Sequence, residues 1–160
     1  MKLVEKQKVI LGYAPAVYNG AACTAKYVSM KNYNHLTIIL MTGAFAGARA
    51  VTINKATNVA AADAEAHRFT KMWTDSAANG TFVETAVTGN TFNTGVANSF
   101  YIIEIDAADL LSDATSPYTG ETTKFDCVSL EINNVAAADA WSVTYILSEP
   151  RYSEADALLD

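Results

Sequence analysis

The chain is short of the residues that carry most enzyme chemistry. Its 160 residues include only two histidines and two cysteines, and 18% are charged. His35 and His67 lie far apart, and neither has the His-x-His spacing that puts two ligands on one strand face, which argues against a cupin-type metal site. Each is expected at the surface or at a strand edge. Cys23 and Cys127 form no Cys-x-x-Cys motif, so metal and redox chemistry lack support. Cys127 is expected to pack as a small hydrophobe, and spacing alone leaves a disulfide between the two open. No nucleophile elbow, phosphate-binding glycine loop, dinucleotide fingerprint or His-Glu-x-x-His helix occurs. Long apolar runs are missing as well: residues 38–41 are among the longest, far too few to span a bilayer. Residues 1–6 lack the apolar core of a secretory signal, so synthesis in the cytoplasm and no membrane partner are expected.

What is present is apolar and unevenly charged. At 51% hydrophobic the chain can build a core, and 160 residues suit one domain. The net charge of −6 disfavours nucleic acid, whose phosphates call for clustered Lys and Arg. Residues 1–31 nevertheless carry Lys2, Lys6, Lys8, Lys26 and Lys31 against Glu5 alone, a net +4, which leaves −10 for the remainder. A basic arm therefore precedes an acidic body. Tyr13, Pro15, Tyr18 and Gly20 interrupt any pattern after it, as in an extended leader crossing a surface.

From residue 36 the chain alternates apolar and polar residues with period two, the mark of half-buried strands. Leu36, Ile38 and Leu40 run through the 43–47 loop to Val51 and Ile53, a candidate hairpin. A strand around Met72 and another over 82–87 flank the turn dipeptide Asn79-Gly80. Residues 100–105 are the most apolar strand and are expected to be central. Residues 106–120 form the longest irregular segment, with a candidate helical turn at 107–111. Val128, Leu130 and Ile132, then Trp141, Val143, Tyr145 and Leu147, give the clearest alternation, which Pro150 ends. Ser153-Glu154-Ala155-Asp156 followed by Leu158 and Leu159 reads as a tail that orders on docking.

Asn58-Val59-Ala60-Ala61-Ala62-Asp63-Ala64 recurs letter for letter as Asn134-Val135-Ala136-Ala137-Ala138-Asp139-Ala140. Each copy reads as the tip of a hairpin-like connection, both at one end of the fold. A short helix over 60–66 is the alternative, since Ala is the best helix former. These patterns predict an all-β protein: an antiparallel β-sandwich, jelly-roll-like, with seven to eight strands. An extended arm at 1–24, a sandwich at 25–152 and a tail at 153–160 divide the chain.

Carboxylates offer weak leads. Asp106, Asp109 and Asp113 do not match a calcium loop and read as solvated acids. Glu84 and Glu104 would need to face each other across a cleft to act in glycoside hydrolysis. Trp73, Trp141, Tyr101 and Tyr145 occupy inward-compatible positions and are expected in the core. Tyr13, Tyr18, Tyr118 and Tyr152, in irregular segments, are candidate contact residues.

Tyr27-Val28-Ser29-Met30-Lys31-Asn32-Tyr33 leading into 36–40, with the terminal strand from Val143 to Tyr152, resembles small β-rich virion proteins of tailed bacteriophages, above all head decoration (cement) proteins. The resemblance covers residues 8–152 in style and short strings. It implies a non-enzymatic structural protein without cofactor, placed on the capsid surface, with the major capsid protein and itself, as a homotrimer, for partners. Lys2, Lys6 and Lys8 are the first candidate contacts, with the 106–120 loop, Arg151 and Tyr152 after them. A carbohydrate-binding jelly-roll module on a virion or cell surface is the alternative.

Overall fold

The computed structural model describes residues 7–18, 23–76, 79–95, 98–111, 125–133 and 139–151. They form twelve strands: β1 (Lys8–Tyr18), β2 (Cys23–Thr24), β3 (Val28–Ser29), β4 (Tyr33–Thr42), β5 (Ala50–Ala56), β6 (Glu65–Ala66), β7 (Lys71–Asp75), β8 (Val83–Ala86), β9 (Thr91–Asn93), β10 (Ser99–Asp106), β11 (Cys127–Ile132) and β12 (Asp139–Pro150). A 3-10 turn at Asp109–Leu111 follows β10, within the segment read as a helical turn. Among the described residues no helix is long and apolar enough to cross a membrane.

Two antiparallel six-stranded sheets make a β-sandwich. The first has the order β1-β12-β4-β10-β7-β8; in the second, β2-β11-β5-β6 is extended by β3 on β11 and β9 on β5. β4 pairs with β12, β5 with β11 and β7 with β10, so strands early in the chain pair in nested order with late ones. The count exceeds the expected seven or eight because strands of two or three residues, β2, β3, β6 and β9, join the second sheet. β10 is central, as its apolar sequence predicts.

Three features differ from the sequence reading. β4 and β5 belong to different sheets, so the 43–47 loop crosses the sandwich instead of closing a hairpin. Residues 8–18 of the expected arm are a strand of the first sheet, hydrogen-bonded along β12 with irregularities at Gly12 and at 14–15. The repeat also divides. Its first copy closes the β5–β6 hairpin, where Asn58 Oδ1 accepts the Ala60 and Ala62 N–H groups, so the loop reading holds there. Its second copy joins β11 in one sheet to β12 in the other, so it is not a hairpin tip; residues 134–138 lie outside the described residues, and Asp139 and Ala140 already belong to β12.

The core lies between the sheets because each strand turns its apolar alternate inward. Leu36, Ile38, Leu40, Ile103, Val128, Leu130, Ile132, Val143 and Tyr145 are fully enclosed, each worth about 1.5–3 kcal/mol of burial. Tyr145 bridges the layers: its hydroxyl accepts the Leu130 N–H at 3.3 Å, and burial raises its pKa far above the usual range. Gly12 lies under this ring, where an added Cβ would stand 2.4 Å from it. Lys55 is enclosed too, at 1% exposure; its ammonium meets Glu65 at 3.1 Å, donates to Leu110 O at 3.1 Å and lies over the Phe125 ring. A buried cation persists only with such partners, so Lys55 ties the 3-10 turn to β5.

Both cysteines are buried free thiols. Cys23 sits opposite Ile132, five residues along β11 from Cys127, which separates the two by about 17 Å, beyond disulfide reach. Burial, then the neighbouring Asp126 carboxylate that accepts its S–H at 2.9 Å, pushes the Cys127 thiol up to about 12. It packs as the expected small hydrophobe.

Candidate functional site

The outward face of the first sheet departs from the polar exterior usual for a sandwich. Cross-strand registers align Leu11, Thr144, Ile39, Ile102, Trp73 and Glu84 in one row over all six strands. A second row carries Val9, Ile146, Thr37 and Glu104, and a third brings Met41 beside Phe100. Ile39, Ile102, Ile146, Met41, Phe100 and Trp73 are half-buried, while Val9 and Leu11 on the edge strand are 45% and 51% exposed. At the opposite edge all four β8 residues are exposed; Val83 reaches 60%, and the preceding Phe82 reaches 43%. Asn79 and Gly80 hold this edge as a hairpin, both donating backbone N–H groups to the Asp75 carboxylate, with Gly80 at φ 85°.

A polar cleft of about 530 Å³ closes one end of this face. His35 Nδ1 and Asp106 Oδ1 lie 2.7 Å apart, and His35 Nε2 is 3.7 Å from Glu104. Lys71 Nζ stands over the Trp73 ring, 5.1 Å from its centroid, and 3.5 Å from Glu84. Arg68, Asp109 and the buried His67 also line the cleft. Such a cluster can hold a polar ligand by hydrogen bonds and offer it an indole edge. Glu84 and Glu104 stand on β8 and β10 with β7 between them, one beside Lys71 and the other beside His35. Among the described residues no three His, Cys, Asp or Glu side chains converge as a metal site.

The sequence candidates scatter. Lys2, Lys6, Tyr118 and Tyr152 lie outside the described residues, as do Asp113 and the 153–160 tail, and the Tyr18 side chain is not described. Tyr13, expected in an irregular segment, lies in β1 with its ring stacked on Trp141 at 4.1 Å. Lys8 is half-buried at the start of β1, and Arg151 is exposed, its Nε donating to Asn34 Oδ1 at 2.9 Å. Two environments are corrected. Trp73, unlike Trp141, Tyr101 and Tyr145, faces outward, because its neighbour Met72 takes the inward alternate of β7. His67 is buried, not superficial, since its backbone N–H docks on Ile53 O beside β5. Val9, Leu11, Phe82 and Val83 were missed. Their signal was apolar residues at both alternates of one stretch, Val9-Ile10-Leu11 and Phe82-Val83, as it was for Ile38-Ile39 and Ile102-Ile103.

No family model matches the chain, and no curated protein matches it. Among solved structures, the crystal structure of SPBc2 prophage-derived protein YomS aligns with 88% of this chain and 91% of its own, at 11% identity and a TM-score of 0.49. A chain of infectious bursal disease virus, Gx strain, aligns with 94% of this chain and 34% of its own, at 13% identity and a TM-score of 0.44.

Proposed function

We propose that the chain is a virion structural protein that binds the outer surface of a capsid and reinforces contacts between its subunits, as the decoration proteins it resembles do. The apolar row across the first sheet carries this reading. The six-strand row and the two shorter rows beside it gather Val9, Leu11, Ile39, Ile102, Ile146 and Phe100 on one outward face, interrupted by Thr37, Thr144, Glu84 and Glu104. Contiguous outward apolar surface rimmed by polar residues marks interaction sites on soluble domains. Val9 and Leu11, on edge strand β1, are its most exposed members. The partners are the major capsid protein and two further copies of the chain. Binding that favours the assembled shell over free subunits stabilises the shell by mass action, and three linked copies add avidity over a local three-fold axis. The role needs no turnover and no cofactor.

Titrating purified protein into undecorated capsids should give saturable, stoichiometric binding and symmetric added density. No binding at micromolar protein would refute the proposal. Trp73 in its polar cleft supports the second reading, a carbohydrate-binding module. That reading expects a glycan-array signal lost in Trp73→Ala, since contact with the outward-facing indole would carry sugar affinity; an array without signal removes it.

A further inference from the structure

The positive end of the molecule holds a second concavity. A pocket of about 350 Å³ between the start of β1, β3 and the start of β4 is lined by Lys8, Lys26 and Lys31 above the buried Val28, Tyr33 and Leu147. None of the three lysines makes an ion pair among the described residues. In a chain of net charge −6, three cations around an apolar floor call for an occupant with carboxylates and apolar side chains together. The chain's own C-terminal segment has that composition: Glu154, Asp156 and Asp160 with Leu158 and Leu159.

The described chain also ends at this pocket. Pro150 pairs with Tyr33, and the Arg151 N–H donates to the carbonyl of Asn32, both lining residues. Arg151 therefore stands at the pocket's lip, and the nine residues that follow it in sequence span up to about 30 Å, several times the width of the cavity. The geometry points to the pocket as the seat of residues 153–160 of the same chain, the leucines on the apolar floor and the carboxylates against Lys8, Lys26 and Lys31. A tethered segment meets its seat at millimolar effective concentration, so weak contacts suffice. Exposed ion pairs contribute little each and are screened by salt, so rising salt should unseat the tail.

The test uses the full chain, isotope-labelled, with backbone amide dynamics of residues 153–160 read by NMR. At low salt these amides should be as ordered as β12, and about 1 M salt, which screens charges beyond about 3 Å, should free them. Lys26→Glu/Lys31→Glu should free them at low salt, and adding Glu154→Lys/Asp156→Lys should restore the order. Leu158→Ala/Leu159→Ala, which touches only the tail, should free them as well. A tail already mobile at low salt, or one indifferent to both the lysine and the leucine changes, overturns the inference. So does order that rises with protein concentration, which would seat the tail in a neighbouring copy. The seating needs no capsid, so its failure and that of the decoration reading are separate results.

Discussion

Replacing Asp139 by alanine is expected to cost about 3–5 kcal/mol, whereas the same change at Asp63 costs no more than about 1 kcal/mol. The two aspartates occupy the same place in an identical seven-residue string. Asp63 lies at the exposed tip of the β5–β6 hairpin, in the left-handed region at φ 51°, and accepts one hydrogen bond from the Thr57 hydroxyl. Asp139 opens β12 with its side chain 1% exposed; one oxygen accepts the Arg49 Nε–H at 2.7 Å and the other accepts the Ala46 N–H at 3.1 Å. Truncating it strands a guanidinium that is itself 13% exposed, together with a backbone donor in the loop that crosses between the sheets. Chemical denaturation of the two variants reads the difference directly. Equal losses would contradict the placement of Asp139.

This contrast shows where sequence reading stops. Alternation reports which residues of a strand turn inward, and it placed β11, β12, the central β10 and the Asn79-Gly80 hairpin. It says nothing of which strand lies alongside, because pairing is settled by contacts far apart in the chain. β4 and β5 therefore looked like a hairpin although they belong to opposite sheets, and one string served as a hairpin tip in one place and as a crossing in the other. Parity can also be misjudged by one residue, which inverts a side chain, as for Trp73. The lysine pocket was half legible: the excess of lysine in residues 1–31 was plain, but that β1, β3 and β4 gather Lys8, Lys26 and Lys31 was not. The apolar outward rows were written in the doubled isoleucines at 38–39 and 102–103, yet they become a surface only once the registers align them with Leu11 and Trp73.

The largest functional effect is expected from that surface. Val9→Glu/Leu11→Glu places two carboxylates at the exposed end of the rows, where an apolar partner would have to desolvate them unpaired. Both positions lie on the outer face of an edge strand, so the core and the β1–β12 ladder stay intact and the thermal midpoint should move by only a few degrees. Capsid affinity should fall by at least about 100-fold, roughly 2.7 kcal/mol, the scale of a lost interface hot spot. Asn93→Glu, on β9 of the other sheet, serves as the control of equal sign.

Titration of undecorated capsids with the parent chain, Val9→Glu/Leu11→Glu and Asn93→Glu under one salt condition tests the account most directly. The account predicts saturable binding by the parent and by Asn93→Glu, with at least about 100-fold weaker binding by the folded double variant. Equal binding by all three would show that the outward face of the first sheet is not the docking surface, and absence of binding by the parent would contradict the decoration role itself.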